Sequence, residues 1–393
     1  MKNLMIKIAS ATFAVALSSS AVTSSEVSQA ISAIKSVGSE GQGNAAASKA
    51  SRTLAQAGDD ALIPVLDGMN GASPLAANWL RGAVHTIADQ GIRRGHGLPT
   101  APLLKWLRDT SNDPRARRLA YDLIRQVQPK TADRLISGMI NDPSVELRRD
   151  AVQQVLDTAA SQKKSEQTSQ ATASYQRALR YARDVDQIQT SVAALRAVGK
   201  TVDVPKQFGF LMDWQVVGPF DNTEKEGFAR KYAPESKVNL GAKLKGKSGE
   251  VKWSVYSSGD EYGMVDINDV YGMEKGVTAY AFTEFDAAEA RSVELRLGSK
   301  NAWKIWVNGR FIFGRDEYHR GMRIDQYRLP IELDKGKNTI LVKLCQDEQE
   351  QPWTKEWEFQ LRISDATGAA ILAKNRRPTP AAALNPKPKG KGH

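Results

Sequence analysis

The sequence predicts a multidomain α plus β protein, in which an α-helical N-terminal part precedes an antiparallel β-sandwich. Three observations lead to this fold class: a β-hairpin signal within residues 300–314, a change of apolar period near residue 208, and a repeated Asn-Asp-Pro tripeptide in the first half. Together they favour a layered antiparallel structure over an α/β enzyme core.

The first part shows a helical apolar period from about residue 59 to residue 156. Its apolar stripes are Leu62, Val65, Leu66 and Met69, then Leu119, Leu123, Ile124 and Val127, then Val145, Val152, Val155 and Leu156. Asn112-Asp113-Pro114 and Asn141-Asp142-Pro143 recur 29 residues apart, and Ser73-Pro74 is a weaker third copy. We expect Asp113 and Asp142 each to cap a first helical turn, with the following proline at the first helical position.

The segments TADRLISGMI and DPSVELRRDAVQQVL resemble HEAT repeats, over roughly 100 residues of the chain. This resemblance implies an α-solenoid whose stacked repeats share one core and offer a surface to a protein partner. An ordinary helical bundle packed on the sandwich is the alternative. The helical domain is predicted to span residues 22–200, with a polar stretch at 161–174 that is either an exposed loop or a solvated helix.

From residue 208 the apolar period becomes two, and aromatic and β-branched residues dominate. Candidate strands are residues 214–217, 251–256, 264–267, 278–282, 293–297, 302–307, 310–313, 339–344 and 357–363. Short strands separated by Gly, Pro, Asn and Asp are typical of a sandwich or jelly roll, predicted here for residues 208–372.

Asn308-Gly309 lies between two alternating runs and predicts a type I′ hairpin turn. A two-residue turn pairs Val307 with Arg310, Trp306 with Phe311, Ile305 with Ile312 and Lys304 with Phe313. One face then carries Trp303, Ile305, Val307 and Ile312, and the other carries Trp306, Phe311 and Phe313. Because both faces are apolar, we expect the second face to be covered by another element, such as the helical part, or by a ligand such as a sugar ring.

The runs FGFLMDWQVVGPFDN, YAPE at residues 232–235, WKIWVNG, GKNTILVKLCQ and WEFQLRISDATG resemble a module of secreted planctomycete-type bacterial proteins, over about residues 175–372. The hairpin and KGKNTILVKL are also similar to sugar-binding jelly rolls of the galactose-binding-like fold. The resemblance implies that fold and export. Relatives carry two acidic residues where this chain has Lys300-Asn301, so no role of those acids is transferred.

The two ends of the chain carry much of its net charge of +11. Residues 1–21 read as an export signal, with Lys2 and Lys7 before an apolar run too short to span a membrane. Residues 373–393 are predicted to be a basic disordered tail. Setting aside the eight basic residues of both ends leaves +3, too little for specific nucleic-acid binding. We expect an exported chain, periplasmic or extracellular, without a transmembrane segment.

The sequence lacks common catalytic and metal motifs. Its four histidines are dispersed, no GxSxG, P-loop, HExxH or CxxC sequence is present, and Cys345 lies in an apolar strand, which favours a buried small side chain. Asp260, Glu261, Asp266 and Asp269 form an acidic group that favours a solvated face. A calcium loop and a glycosidase carboxylate pair are the alternatives. No catalytic residue, metal ligand or cofactor is assigned.

A polar and aromatic loop follows the hairpin and is the predicted ligand site. Its residues are Arg315, Tyr318, His319 and Arg320, joined by Trp353 from a Pro-containing loop. The function that we expect is non-catalytic binding or scaffolding outside the cytoplasm, with a protein partner on the helical repeats and a glycan on the sandwich. The alternatives are a polysaccharide-acting hydrolase, or an accessory module of one, and a purely structural protein of the cell envelope.

Overall fold

The computed structural model describes residues 22–384 and Pro386. The predicted export signal and the last seven residues of the tail lie outside the described residues. The chain forms two compact units, one ending at Leu147 and the other beginning at Arg148. None of the described helices combines the length and apolarity needed to cross a membrane.

The first unit is helical. Its helices are α1 (Ser24–Lys35), α2 (Asn44–Ala57), α3 (Leu62–Gly68), α4 (Pro74–Arg93), α5 (Thr100–Arg108), α6 (Pro114–Val127) and α7 (Pro129–Ile136). Neighbouring helices pack on each other, α1 on α2, α5 on α6 and α6 on α7. The first predicted stripe is fully buried, as are Leu119, Leu123 and Ile124 of the second.

The two Asn-Asp-Pro copies differ in structure. Asp113 caps α6 by accepting hydrogen bonds from the N–H groups of Arg115 and Ala116, and Pro114 is the first helical residue, as predicted. The prediction for the second copy is wrong, because the next helix begins at Val145 and not at Pro143. Asp142 instead receives two hydrogen bonds, of 2.6 and 2.8 Å, from the buried guanidinium of Arg117. The carboxylate serves as a buried counter-ion, and Val145 is exposed rather than part of a stripe.

The second unit begins with three long helices, α8 (Val145–Lys164, which starts just before the boundary), α9 (Thr168–Tyr181) and α10 (Val185–Ala197), and the short α11 (Val204–Phe208). The boundary thus lies earlier than the predicted 200–208. The reason is contact with the β part, since Arg196 of α10 forms a 2.7 Å ion pair with Glu261. The polar stretch 161–174 is helix interrupted by a short turn, mostly exposed.

Two antiparallel sheets follow, together with one short ribbon. The strands are β1 (Asp213–Asp221), β2 (Lys243–Lys245), β3 (Glu250–Lys252), β4 (Ser254–Ser257), β5 (Val265–Asp266), β6 (Val277–Ala287), β7 (Arg291–Ser299), β8 (Ala302–Val307), β9 (Arg310–Arg315), β10 (Tyr327–Leu333), β11 (Gly336–Gln346) and β12 (Glu358–Ser364). The six-stranded sheet has the order β4-β1-β6-β11-β8-β9, the four-stranded sheet has the order β10-β7-β12-β5, and β2 pairs with β3. Short helices lie at Ala233–Ser236 (α12), Asn268–Tyr271 (α13) and Ala381–Leu384 (α14).

The two larger sheets share one apolar cluster. Both contribute alternating residues, and Trp214, Trp303 and Trp357 are fully buried. Phe359 meets Trp214 edge-on, with the ring centroids 5.1 Å apart. Cys345 is buried, and burial raises the pKa of its thiol to about 11, in line with its predicted role as a small buried side chain.

A second apolar cluster lies on the outer face of the six-stranded sheet. It consists of Val217, Phe220, Tyr280, Phe282, Trp306 and Leu341. Residues 232–253, named here the cover segment, pack on this face through Tyr232, Val238, Leu244, Val251 and Trp253. The expectation that another element covers this face is confirmed for Trp306, but the covering segment belongs to the β part and not to the helical half.

A buried lysine fastens the start of the cover segment and the residues before it to the sheet. The Lys343 ammonium donates hydrogen bonds to the carbonyl oxygens of Phe228 and Arg230, at 3.2 and 2.7 Å, and to the Glu235 carboxylate at 2.7 Å. Its side chain is fully buried, and this burial lowers the pKa of the ammonium. Three acceptors match the three donors of a charged lysine, which is how a buried cation is accommodated.

The hairpin turn is as predicted, with left-handed φ values at Asn308 and Gly309. Trp306 pairs with Phe311, but the register then shifts, so that Ile305 pairs with Phe313 and not with Ile312. The prediction that Phe313 lies on the same face as Trp306 and Phe311 is therefore wrong. A bulge at Ile312 turns Phe313 toward Trp303, with the ring centroids 5.9 Å apart. Phe311 stays about half exposed.

Strand β10 was not predicted, because it contains Pro330, which has no N–H to donate to a ladder. It lies at the edge of the four-stranded sheet, where one side of the strand needs no partner. On the same sheet Arg296 and Arg362 are paired residues of β7 and β12, and both are buried. Asp325 forms ion pairs with both guanidiniums, at 2.8 and 2.6 Å.

The prediction that residues 373–393 are disordered is wrong for residues 373–384. The N–H of Lys374 donates to the Asp286 carbonyl oxygen at 2.8 Å, and the Arg376 guanidinium donates to the Phe210 carbonyl oxygen at 2.9 Å. The Thr379 hydroxyl donates to the Asp203 carboxylate. The sequence did not predict the order of this segment because its hydrophobicity is low. The segment is held mainly by polar contacts and not by an apolar face.

Candidate functional site

Three loops of the β part meet beyond the ends of β1, β9 and β11. They comprise residues 222–228, 316–326 and 347–357, and we name this region the loop end. Direct contacts join the loops: the backbone N–H of Glu224 donates to the Glu348 carboxylate at 2.7 Å, and His319 bonds to Asp347 at 2.6 Å. Arg315 is the last residue of β9, and the other predicted site residues lie in the second and third of these loops: Tyr318, His319, Arg320 and Trp353.

A buried amide network holds the loop end in place. The Asn222 side-chain amide donates to the Tyr318 hydroxyl at 3.2 Å and to the Gln346 carbonyl oxygen at 2.9 Å. The Gln346 amide donates to the carbonyl oxygen of Thr354, at 2.9 Å, and the Asn301 amide donates to the Gln346 side-chain oxygen. Asn222, Gln346 and Asn301 are buried, so the loops are anchored by bonds that water does not compete for.

A charged group lies above this network. Asp347 is fully buried, and its carboxylate accepts a hydrogen bond from His319 Nε2–H and forms a 3.4 Å ion pair with Lys225. Burial by itself would raise the pKa of Asp347, but the bonds from His319 and the Gln349 N–H hold it below the usual range. The Lys225 ammonium also lies 4.9 Å from the centre of the Tyr318 ring. Burial raises the pKa of Tyr318, so this hydroxyl stays protonated.

The loop end contains several non-glycine residues in left-handed backbone conformations. These are Glu224, Lys225, His319 and Asp325, with φ values of 54°, 64°, 54° and 60°. Each such conformation costs on the order of 1 kcal/mol and persists only where surrounding contacts fix it. Two of these residues, Lys225 and His319, contact Asp347 directly. Half of these strained residues therefore lie against the buried carboxylate of Asp347.

The structure brings only some of the predicted residues together. Tyr318 and His319 join the Asp347 group and make internal hydrogen bonds. Arg315 and Arg320 are exposed, and both form ion pairs with Glu317. Trp353 lies on a separate turn, Pro352–Thr354, with 66% of its surface exposed. The amide network connects the turn of Trp353 with the loop of Tyr318. Gln346 bonds to Thr354 and to Asn222, and Asn222 bonds to Tyr318.

Sequence reasoning missed Asn222, Lys225 and Asp347. Signals were present for two of them, since Asn222 ends the run FGFLMDWQVVGPFDN and Asp347 directly follows GKNTILVKLCQ. The sequence does not show that these residues lie close together. Their proximity depends on the order of the strands in the sheet, which places the ends of distant strands side by side.

The predicted acidic group does not form one cluster. Glu261 pairs with Arg196, whereas Asp269 accepts a hydrogen bond from the Tyr256 hydroxyl at 3.1 Å. Burial raises the pKa of Asp266, whose carboxylate accepts the Asn268 N–H at 2.9 Å. Among the described residues, no three His, Cys, Asp or Glu side chains converge as they would on a metal ion.

No family model and no curated protein matches the chain. Among solved structures, a β-glucosidase from Kluyveromyces marxianus in complex with glucose is similar over 39% of this chain and 16% of its own, with 10% identity and a TM-score of 0.24. A PA14 sugar-binding domain from an RTX adhesin is similar over 42% of this chain and 100% of its own (12% identity, TM-score 0.23). An anti-sigma factor domain-containing protein from Clostridium clariflavum is similar over 42% and 49% (9% identity, TM-score 0.23). The chain thus spans less than a fifth of the β-glucosidase.

Proposed function

We propose that the chain is an exported, non-catalytic binding protein whose β part, a galactose-binding-like jelly roll, recognises a glycan at the loop end. The observation that carries this proposal is the exposed indole of Trp353 on a loop fixed by the buried amides of Gln346 and Asn301. A flat, rigid indole suits the apolar C–H face of a sugar ring, and a fixed loop loses little conformational entropy on binding. Elsewhere on this end of the β part, Arg315, Arg320 and Lys225 offer N–H donors for sugar hydroxyls.

In the proposed function the helical repeats of the first unit form a HEAT-like solenoid that engages a protein partner. The pairwise packing of α5 on α6 and of α6 on α7 supports this role. A non-catalytic role is proposed because the carboxylates of Asp266 and Asp269 are engaged by the Asn268 N–H and the Tyr256 hydroxyl.

A glycan array with the chain from residue 22 onward tests the proposal. Replacing Trp353 by Ala removes the stacking surface, and we expect a loss of about 2 kcal/mol, or roughly thirtyfold in Kd. Phe311→Ala is the matched control, since Phe311 is also an exposed aromatic residue but lies on the hairpin. Equal binding by the parent and the Trp353 variant would remove the loop end as the site.

A scaffold role in the cell envelope is the second candidate, favoured by the coverage of Trp306 by the cover segment. This role predicts that no glycan on the array binds the parent chain above background.

A further inference from the structure

The cover segment is basic, and most of its lysines lie in or beside the two-stranded ribbon of β2 and β3. Residues 232–253 contain five lysines and two glutamates, without Arg or Asp. Both glutamates are already engaged. Glu235 is the counter-ion of the buried Lys343. Glu250 forms an ion pair of 2.9 Å with Lys243. The segment therefore presents an excess of positive charge to the solvent.

The ribbon has an apolar inner face and a charged outer face. Leu244 and Val251 are directly paired, and both pack on the second apolar cluster. Side chains alternate along a strand, so the other ribbon residues project away from the sheet, and all of them are exposed: Lys243, Lys245, Glu250 and Lys252. The outer face thus carries three lysines and one glutamate, and it has no aromatic or apolar side chain.

The turn between β2 and β3 is held against the six-stranded sheet. The Gly246 N–H donates to the Gly249 carbonyl oxygen at 2.7 Å, and the Lys247 N–H donates to the Pro219 carbonyl oxygen at 2.9 Å. The Lys247 ammonium also donates to the Gly276 carbonyl oxygen at 2.7 Å. The backbone that carries the outer lysines is therefore fixed before any ligand binds, which reduces the entropy lost on binding.

The charges on the outer face are not balanced. Lys243 lies directly opposite Lys252, and like charges in this position destabilise a strand pair. Glu250 lies opposite Lys245 but forms its ion pair with the diagonal Lys243. Among the residues that the structure describes, Lys245 and Lys252 thus have no acidic partner. These two lysines are diagonal neighbours, with Cβ atoms about 7 Å apart. An anionic ligand would neutralise both.

The chemistry of this face favours one class of polyanion. Stable binding of duplex DNA rests on many phosphate contacts, and single strands also need aromatic side chains on which bases stack. Binding to a membrane surface needs apolar side chains that enter the lipid. The outer face offers neither aromatic nor apolar groups and only two lysines without a partner. Lysine ammonium groups act as single point charges, which suits carboxylates spaced along a chain of neutral hydroxyls.

We propose that the ribbon of β2 and β3 binds a linear acidic polysaccharide, whose carboxylates contact Lys245 and Lys252. The site uses no residue of the loop end. The inference therefore does not depend on the glycan recognition proposed there.

Binding of polygalacturonate and of alginate to the chain from residue 22 onward tests the proposal by isothermal titration calorimetry. Methyl-esterified polygalacturonate is the matched ligand control, because it has the same sugar chain without the charge. The test variant is Lys245→Gln with Lys252→Gln. Its matched control is Lys163→Gln with Lys164→Gln, which makes the same change of charge at two exposed lysines of α8.

We expect at least one of the two acidic polymers to bind, and the ribbon variant to bind it about tenfold more weakly than the parent. The affinity of this variant should also fall less steeply between about 50 and 200 mM salt, since fewer cations take part. The α8 variant should bind like the parent. No binding of either acidic polymer would overturn the proposal, as would equal losses in the two variants or equal binding of the ester.

Urea unfolding separates a loss of binding from a loss of folding. The ribbon variant removes the opposed pair of Lys243 and Lys252, so its free energy of unfolding should be no lower than that of the parent. Weaker binding together with unchanged stability supports direct contact by the two lysines. Weaker binding that follows an equal loss of stability would refute it.

Three further measurements assign the binding to one place and one ligand class. A chain that ends at Pro386 lacks three lysines of the tail, and it should bind like the parent; binding lost on this truncation would assign the polymer to the tail and refute the ribbon. Trp353→Ala should leave binding of the acidic polymer unchanged, and dependence on Trp353 alone would assign it to the loop end. Tighter binding of duplex DNA, or of vesicles of phosphatidylglycerol and phosphatidylcholine in equal parts, through the same two lysines would overturn the polysaccharide assignment.

Discussion

Asp325 is expected to be among the most sensitive surface-loop residues of the β part. Its carboxylate forms ion pairs with Arg296 and Arg362, whose side chains are 4% and 1% exposed. In the Asp325→Asn variant both guanidiniums lose this counter-ion, and breaking a buried pair costs about 3–5 kcal/mol. Arg296 keeps Glu294, and Arg362 keeps the carbonyl oxygens of Phe208 and Gly368. We therefore expect the lower end, about 3 kcal/mol.

Urea unfolding followed by tryptophan fluorescence measures this loss, since six of the eight tryptophans lie after residue 208 and report on the β part. Glu289→Ala is the control, because the Arg291–Glu289 ion pair is largely exposed and its loss should change stability by less than about 0.5 kcal/mol. A loss below about 1 kcal/mol for Asp325→Asn would refute the reasoning that this ion pair is irreplaceable.

We also expect the difference in stability between the parent chain and the Asp325→Asn variant to depend on pH. The bonds from Arg362 and Arg296 outweigh burial and hold the pKa of Asp325 below its ordinary value. A carboxylate with a lowered folded pKa stabilises above the unfolded pKa, about 3.9, and this contribution is lost as pH falls. The difference between parent and variant should be constant from pH 6 to 8 and shrink below about pH 4. A difference that grows in acid would contradict this assignment.

Three further predictions concern the buried thiol, the C-terminal segment and the buried lysine. Cys345 should not react with a thiol reagent at pH 8 in the native chain, because burial raises its pKa to about 11; rapid labelling without denaturant would show that β11 opens. Truncation after Ala373 should lower the free energy of unfolding by about 2 kcal/mol, since it removes the bonds of Arg376 and Thr379, whereas truncation after Pro386 should leave it unchanged. Lys343→Met should lower the free energy of unfolding by about 3 kcal/mol, because it leaves Glu235 without its cation. Adding Glu235→Gln should restore part of this stability, as measured by urea unfolding. No recovery would mean that the loss is due to packing alone.

Local chemistry made much of the β part predictable from sequence. Asn308-Gly309 forms the expected turn because both residues tolerate positive φ, and the alternation of Trp303, Ile305 and Val307 gives the buried face. The bulge at Ile312 was not predictable, because a register shift of one residue leaves the sequence pattern unchanged. Strand β10 was also not predictable, because Pro330 argues against a strand unless that strand lies at a sheet edge. Only the sheet order shows that β10 is an edge strand, where the missing N–H needs no partner.

The loop end was predictable only in part. Tyr318 and His319 were identifiable as polar and aromatic residues of a loop after a strand. Their partners Asn222 and Asp347 are distant in sequence, and their role depends on burial, which no spacing encodes. Asp142 shows the same limit, because a helix cap and a buried counter-ion have the same sequence signature.

The cover segment packs on the outer face of the six-stranded sheet and not in the core between the two larger sheets. Its residues 234–238 and 240 line one wall of a cavity of about 340 Å³ beside the hairpin tip, yet the cluster between the two larger sheets contains none of them. Substitutions there can alter the shape and polarity of the wall while Trp214, Trp303 and Trp357 keep their packing. This stretch can therefore diverge without disturbing the main core, provided that Val238 keeps its contact with the second apolar cluster and Lys343 retains the Glu235 carboxylate.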